Sequence, residues 1–254
     1  MNVRHWADMT ALELTQWVDQ VSDRAVACVV LGATEQHGPH LPMGTDTDIG
    51  CGLLDHALAL LDDVPVVVMP PLPLGASDEH TGFAGTLSVQ PAVFIEQLMA
   101  YGRAVAQVGL QRLVLINAHG GNNGPIESAA LMMRQALGLW VAKAYYPKFR
   151  PLAAGPDAHE LKTGLHGGQL ETSLMCALKP DLVDLDQARN FEMSQPPWAG
   201  QAPMAWLAED LHPQGVAGRA GEASQAEGQA LLAHYAQGIA DVIEALADHA
   251  GPNT

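Results

Sequence analysis

The sequence predicts an α/β fold, a three-layer α/β/α sandwich with helices on both faces of a mostly parallel central sheet. Two observations carry this prediction. Short apolar runs rich in β-branched residues alternate with longer segments of helical spacing, and Gly- or Pro-rich loops follow the runs. Such runs are typical of strands buried on both faces, and the alternation is that of crossover helices joining parallel strands. With no internal repeat and no linker, residues 1–254 are predicted to form a single domain.

Residues 12–69 predict two helices and two strands. Residues 12–21 have helical spacing, and Thr10 before them can cap a helix. The apolar run 25–31 predicts the first buried strand. A helix is expected at about 47–61, and the run 64–69 predicts the second strand.

The alternation of predicted strands and helices continues through residues 91–145. A helix is expected at about 91–108, with Pro91 at its first position. Residues 112–117 predict the third strand, 124–137 a helix and 139–145 the fourth strand. The order strand–helix–strand, repeated, predicts the parallel sheet.

After residue 146 the regular alternation of predicted strands and helices ends. Residues 147–168 are expected to be loop, 170–177 a short helix, and 196–221 a Gly- and Pro-rich irregular stretch. A long alanine-rich helix is expected at about 224–247.

Composition excludes several classes of function. Twelve Lys and Arg stand against 28 Asp and Glu, a net charge of −16. This balance argues against a nucleic-acid binder or a binder of anionic membranes, since both need clustered cations. Charged residues are only 16% of the chain and 48% is apolar, which favours a surface covered in part by other subunits.

The cysteines and the apolar runs predict a cytoplasmic protein. Three cysteines without regular spacing indicate a reducing compartment. The polar N-terminus lacks the apolar core of a signal peptide. The longest apolar run is about half as long as a membrane span.

Candidate ligands follow two predicted strands, where open α/β sheets bind their ligands. The first strand leads to Glu35 and His37, with Asp46 shortly after, and the third leads to His119. Imidazoles and carboxylates form a ligand set suited to Zn, Mn or Fe. Any one loop histidine is more often solvated or hydrogen-bonded, but the coincidence of two such motifs at one edge of the sheet favours a metal site.

Four blocks of sequence resemble the creatininase (creatinine amidohydrolase) family. They are LGATEQHGPHLPMGTD (31–46), GASDEHTGFAGTLS (75–88), NAHGGN (117–122) and HGGQLETSLM (166–175); a fifth block, 215–228, is looser. Together they span nearly the whole chain. The resemblance implies an α/β/α sandwich of the creatininase type, a site for one or two metal ions, hydrolysis of amide C–N bonds and a hexameric assembly.

The resemblance also implies particular ligands. Glu35, Asp46 and His119 match the ligands of a first ion, and His37 matches a ligand of a second, with Asp46 bridging. Glu171 is a further candidate ligand; alternatively, its charge complements a helix N-terminus. The expected cofactor is a divalent metal, one or two ions per subunit, with zinc first and manganese or iron as alternatives.

Further residues are expected at the substrate. His166 matches the histidine that handles protons and orients the substrate in creatinine-cleaving members. Those members carry a tryptophan four residues earlier, where this chain has Lys162, so we expect Lys162 to favour a more polar or anionic substrate. His80 is expected to bind substrate, or else to brace its loop through a hydrogen bond. His40, Asp48 and Glu79 are expected to orient a ligand or the substrate.

Two positions depart from the family. This chain has Gly121 and Gln169. By the resemblance, creatinine-cleaving members carry glutamate at the first position, and many relatives carry it at the second. An amide cannot replace the charge of a carboxylate, so we expect the second ion to be weakly held or absent.

The resulting hypothesis is a metal-dependent amidohydrolase that cleaves a non-peptide C–N bond of a small molecule. Metal-activated water is expected to attack the carbonyl, and His166 to protonate the leaving nitrogen. The alternatives are a deformylase, a peptidase acting on a modified peptide, and a non-catalytic metal-binding oligomeric scaffold. The expected partners are a small-molecule substrate and further copies of the chain in a homohexamer, with no nucleic acid and no membrane.

Overall fold

The computed structural model describes residues 3–21 and 23–250. Its centre is a five-stranded sheet in the spatial order β1-β3-β2-β4-β5, and every neighbouring pair of strands is parallel. The predicted α/β class with a parallel central sheet is confirmed. The strands are β1 (Val3–His5), β2 (Val26–Leu31), β3 (Val66–Val68), β4 (Arg112–Asn117) and β5 (Trp140–Tyr145).

Helices cover both faces of the sheet. They are α1 (Ala11–Gln20), α2 (Thr45–Leu58), α3 (Pro91–Gln107), α4 (Asn123–Leu137), α5 (Ala158–Thr163), α6 (Gln169–Leu178), α7 (Ala208–Leu211) and α8 (Gln225–Ala247). The side chains of β2 alternate between two cores: Val26, Cys28 and Val30 pack with α2, α6 and α8, and the residues between them pack with α1, α3 and α4. This alternation buries the strand on both faces, as expected in a three-layer sandwich.

The sequence missed one strand of the main sheet and two short helices. Strand β1 has three residues at the sheet edge, too short for a periodic signal. Helix α5 lies in the stretch 147–168, so the prediction that this stretch is loop throughout is wrong. Its start is marked by Asp157, whose side chain accepts a hydrogen bond from the backbone N–H of Glu160. The predicted cap at Thr10 is confirmed, as part of a capping box with Glu13.

Two small antiparallel pairs lie outside the main sheet. Strand β6 (Asn190–Phe191) pairs with β9 (Gly218–Arg219), and β7 (Trp198–Ala199) pairs with β8 (Ala202–Pro203). All three cysteines are free. No helix in the described part of the chain combines the length and the apolar character needed to cross a membrane.

The sheet register determines where the site forms. Strands β2 and β4 are neighbours, and their last residues, Leu31 and Asn117, face each other across the ladder. The loops that follow these strands therefore leave the sheet side by side. Asn117 then braces its own loop, because its side chain accepts from the backbone N–H of His119 and donates to the carbonyl of the same residue.

Candidate metal centre

The loop after β2 folds back on itself and brings two carboxylates together. The backbone N–H of Glu35 donates to the carbonyl of Met43, which closes the loop. Asp46 then lies in the first turn of α2, close to Glu35. His119 enters from the loop after β4, as the sheet register predicts. Its Nδ1 lies 3.1 Å from Oε1 of Glu35 and 3.2 Å from Oδ2 of Asp46.

Asp46 lies between two histidines. Its Oδ1 is 3.1 Å from Nε2 of His37, and its Oδ2 faces His119. Both Asp46 and Glu35 therefore belong to more than one group of potential ligand atoms. Among the described residues, three groups have ligand atoms close enough to share an ion: Glu35–Asp46–His119, His37–Asp46–Glu171 and Glu35–His37–His166.

Three histidines are oriented by backbone carbonyls. His37 donates from Nδ1 to the carbonyl of Glu35 at 3.1 Å, and His119 from Nε2 to that of Ala76 at 3.0 Å. His166 donates from Nε2 to the carbonyl of Gln36 at 2.6 Å. A neutral imidazole carries one proton, so in each ring the other nitrogen has a free lone pair directed inward. This is the usual orientation of metal-binding histidines.

Three of the four carboxylate oxygens that face these nitrogens have no hydrogen-bond donor in the described part of the chain. Among the described residues, both oxygens of Glu35 and Oδ2 of Asp46 are buried and make no hydrogen bond. The two side chains are 0% and 2% exposed. Buried charge without a partner is costly, so the cluster requires a cation or protons. The residues present therefore fit a divalent metal ion.

Without an ion, protons compensate the buried charge. Burial favours the neutral ring of His37, but the adjoining Asp46 carboxylate outweighs it and raises the pKa of His37 to about 9. Burial likewise opposes the charge of His119, yet Glu35 and Asp46 hold its pKa well above the usual value. The same pairings hold the pKa of Asp46 well below its usual range, against the effect of burial. An ion that binds here must displace these histidine protons.

Glu171 lies at the rim of the centre. It is in the first turn of α6, and its Oε2 accepts a hydrogen bond of 2.6 Å from the backbone N–H of Gly167. Burial raises the pKa of Glu171 to about 7, against the opposing effect of His37, and the charge of Asp46 adds to the rise. The two readings of Glu171 are thus compatible, since one oxygen satisfies the loop and the residue can still share an ion with His37 and Asp46.

His166 and His80 stack beside the carboxylates. Their ring centroids are 4.0 Å apart. Nδ1 of His166 lies 3.8 Å, and Nε2 of His80 3.4 Å, from Oε1 of Glu35. Burial lowers the pKa of His80 to about 4 and that of His166 well below its usual value. Both rings are therefore neutral at neutral pH.

The remaining predicted residues differ in their distance from this cluster. Glu79 Oε1 is 3.6 Å from Nε2 of His119, and His40 donates from Nε2 to the carbonyl of Gly167. Asp48 instead pairs with Lys179, at 2.6 Å.

Lys162 is exposed on α5. Its ammonium is 5.4 Å from the ring centroid of Trp198. Within the described part of the chain, no hydrogen bond or ion pair joins Lys162 to the histidines and carboxylates of the centre. Its role in substrate binding stays a prediction.

Sequence reasoning missed two residues at the site. Gln36 forms hydrogen bonds with His80 and His166. In an extended chain its side chain would point to the side opposite Glu35 and His37, so the alternation of side chains did not indicate it as a site residue. Its place inside the first block was the available signal. Trp206, whose ring lies edge-on to His80 at 6.2 Å, is far away in the sequence and carries no local signal.

The structure shows what surrounds Gly121 and Gln169, the two positions at which the resemblance leads us to expect glutamate. A Cβ atom at Gly121 would lie 2.2 Å from the carbonyl oxygen of Ala76, so this backbone does not accommodate a glutamate. The Gln169 side chain points to the start of α8, where its Nε2 donates to both oxygens of Glu227 at 2.9 and 3.0 Å. Neither position supplies a carboxylate to the centre, which leaves Glu171 as the acid on that side.

Comparison with known proteins places this chain in a family. The family model described as creatinine amidohydrolase (creatininase) matches residues 7–243. A mycofactocin precursor peptide peptidase of Mycolicibacterium smegmatis is 34% identical over 230 residues, which cover 85% of this chain and 83% of the relative. The creatinine amidohydrolase of Pseudomonas putida is 31% identical over 254 residues, which cover 85% of this chain and 88% of the relative.

A solved structure has the same fold. It is described as creatininase Mn, is 28% identical, and superposes with a TM-score of 0.78 over 96% of this chain and 99% of its own. The family match extends over nearly the whole chain and includes every residue of the histidine and carboxylate cluster. The chain therefore belongs to the creatininase family.

Proposed function

We propose that this chain is a metal-dependent amidohydrolase that cleaves a non-peptide C–N bond of a small molecule with water. One observation carries the proposal: the inner ring nitrogens of His37, His119 and His166 lie beside the buried carboxylates of Glu35 and Asp46. Among the described residues, three of those four carboxylate oxygens have no hydrogen-bond partner. Neutral imidazoles and carboxylates are the donor set of catalytic zinc and also suit manganese and iron.

Two overlapping ligand sets support one or two ions. Glu35, Asp46 and His119 would hold the first ion, and His37, Asp46 and Glu171 the second. When bound, such an ion polarises a carbonyl group and makes water acidic enough to react near neutral pH. Zinc is the expected ion; the structure described as creatininase Mn supports manganese as an alternative.

His166 is the group that would move the proton. Its Nε2–H is held by the carbonyl of Gln36, and its unprotonated Nδ1 faces the carboxylates. Because burial keeps the ring neutral, Nδ1 accepts a proton from the attacking water as the C–O bond forms. The same proton then passes to the leaving nitrogen as the C–N bond breaks, which restores the neutral ring.

The substrate has a second candidate. The first candidate substrate is a cyclic amide or a formamide. Hydrolysis of a formamide would make the enzyme a deformylase. The 34% identity to a mycofactocin precursor peptide peptidase favours another substrate class, an amide bond within a modified peptide, as the second candidate. His80, stacked on His166, and Lys162 on α5 are the residues we propose to contact the substrate.

A metal-dependence assay tests the proposal. The zinc-loaded protein is incubated with creatinine, formamides, cyclic amides and short peptides, and release of the amine is measured. We expect hydrolysis of at least one amide, its loss on chelation and its return with zinc or manganese. Less than about one ion per subunit, with no hydrolysis across the panel, would overturn the proposal and favour the non-catalytic scaffold.

The cytoplasmic location and the homohexamer stay predictions. The low content of charged residues, 16% of the chain, supports an assembly in which part of the surface is covered. Sedimentation of the metal-loaded protein measures the number of subunits directly.

A further inference from the structure

Gln36 is a buried residue between the two proposed ligands Glu35 and His37, and it is 6% exposed. Its Oε1 accepts a hydrogen bond of 2.9 Å from the backbone N–H of Gly38. Its Nε2 donates to the carbonyl of Gly215 at 2.6 Å. These two backbone partners determine the orientation of the amide, since an N–H can only donate and a carbonyl can only accept.

The oriented amide determines the tautomer of His80. Nε2 of Gln36 lies 2.9 Å from Nδ1 of His80. Because the amide nitrogen donates, Nδ1 must accept, and the neutral ring carries its proton on Nε2. That Nε2–H faces Oε1 of Glu35 at 3.4 Å. The nitrogen nearest the carboxylate thus has a proton and no lone pair, so it cannot bind an ion.

The main chain of Gln36 holds the second ring of the stack. Its backbone carbonyl accepts the 2.6 Å hydrogen bond from Nε2 of His166. The rings of His80 and His166 are 4.0 Å apart and inclined by 31°. Side chain and main chain of one residue therefore each anchor one of the stacked rings. A substitution that removes the amide releases His80 and leaves the hydrogen bond to His166 in place.

We propose that Gln36 is a positioning residue for hydrolysis. It holds His80 in the Nε2–H tautomer, with Nε2 3.4 Å from Oε1 of Glu35 and the ring stacked on that of His166. This inference rests on the proposed function, because the position of His80 affects turnover only if the site hydrolyses an amide. The tautomer itself can be measured without any substrate.

The test is Gln36→Met, which keeps the length of the side chain and removes the amide. Histidine side-chain ¹⁵N spectra of the zinc-loaded protein report the tautomer, and the His80 signals are assigned by their loss in His80→Phe. We expect the Nε2–H tautomer in the wild type and a mixture of tautomers in Gln36→Met, with unchanged zinc content. Gln187→Met, at an exposed position, is the matched control and should leave the spectrum unchanged.

Kinetics on the amide that the wild type hydrolyses fastest give the second readout. We expect kcat of Gln36→Met to fall about tenfold with KM changed less than about twofold. Because Gln36 acts through His80, the double variant with His80→Phe should be no slower than His80→Phe alone.

Three results would overturn the proposal: an unchanged tautomer in Gln36→Met, a loss of zinc, or effects of the two substitutions that multiply. A wild type that hydrolyses no amide overturns the proposed function instead. In that case the ¹⁵N spectrum alone decides whether Gln36 positions His80.

Discussion

Oδ1 of Asp46 lies 3.1 Å from Nε2 of His37, a nitrogen that has no proton in the neutral ring. Two lone pairs at this distance repel each other unless a proton or a metal ion lies between them or beside them. The other oxygen of Asp46 has the same relationship with His119, at 3.2 Å. One side chain in the first turn of α2 thus connects two potential ion sites.

The Asp46→Asn variant is expected to lose metal and activity together. An amide at this position presents one oxygen instead of two and carries no charge, so neither ligand set keeps its shared carboxylate. Outer-shell changes cost about 10–100-fold in metal affinity, and loss of a shared ligand should exceed this. Metal content after dialysis and kcat/KM on the best amide measure the two effects. A protein that keeps its full metal content would contradict the bridging role.

His40 is expected to make stability fall in acid. Its ring is 2% exposed and its Nδ1 has no hydrogen-bond partner among the described residues, and burial lowers the pKa to about 4. The unfolded chain, with a pKa of about 6.5, binds this proton first, so stability falls as the pH drops from about 6.5 towards 4.

The variant His40→Gln isolates this effect. The glutamine amide can supply an N–H donor to the carbonyl of Gly167 in place of the histidine Nε2–H. The amide does not titrate in this pH range. Between pH 7 and pH 5 the variant should lose roughly 1–2 kcal/mol less unfolding free energy than the wild type. Urea unfolding at both pH values provides the comparison, with His159→Gln at an exposed position of α5 as control. Equal losses in the two variants would rule out His40 as the cause.

The candidate ligands could be predicted from the sequence, but the residue that holds their neighbouring histidines in place could not. Glu35, His37, Asp46 and His119 follow strands β2 and β4, so the parallel order of the sheet was sufficient to bring them together. Gln36 escaped notice because its partners, Gly215 and His80, are distant in the sequence. Long-range hydrogen bonds of this kind leave no local pattern.

At position 169 the structure shows what the glutamine does in place of the glutamate that the resemblance leads us to expect. The resemblance alone indicated a weaker second metal site. In the structure, the amide of Gln169 donates to Glu227, which also accepts from the hydroxyl of Ser173 at 2.7 Å. This partner lies on α8, 58 residues further along the chain, so no local pattern around Gln169 indicates it.

Gln169→Glu is therefore expected to destabilise the fold rather than to create a metal ligand. The new carboxylate would face the carboxylate of Glu227 at a position that is 8% exposed. Losing a buried hydrogen bond and gaining like-charge contact should cost about 1–3 kcal/mol. Thermal unfolding and metal analysis check this, with the exposed Gln195→Glu as control. A stable variant that binds more zinc would show that position 169 faces the ions after all.

Two glycines near the start of α4 allow a matched pair of substitutions. At Gly121 a Cβ would lie 2.2 Å from the carbonyl oxygen of Ala76 and 2.5 Å from Nε2 of His119. At Gly124, one turn later, nothing lies within 4 Å of the added atom. Both substitutions add the same methyl group to neighbouring segments, so their difference isolates the close contact.

Gly121→Ala should lose about 1–3 kcal/mol of stability, the usual cost of overpacking, because a backbone carbonyl cannot move aside as a flexible side chain can. It should also weaken metal binding, since the methyl group displaces His119 from the carbonyl of Ala76 that orients it. Gly124→Ala should be neutral or stabilise the helix by about 0.5–1 kcal/mol. Denaturant midpoints and zinc titrations of both variants provide the measurement. If Gly121→Ala binds zinc as tightly as Gly124→Ala, the hydrogen bond to Ala76 does not control the orientation of His119.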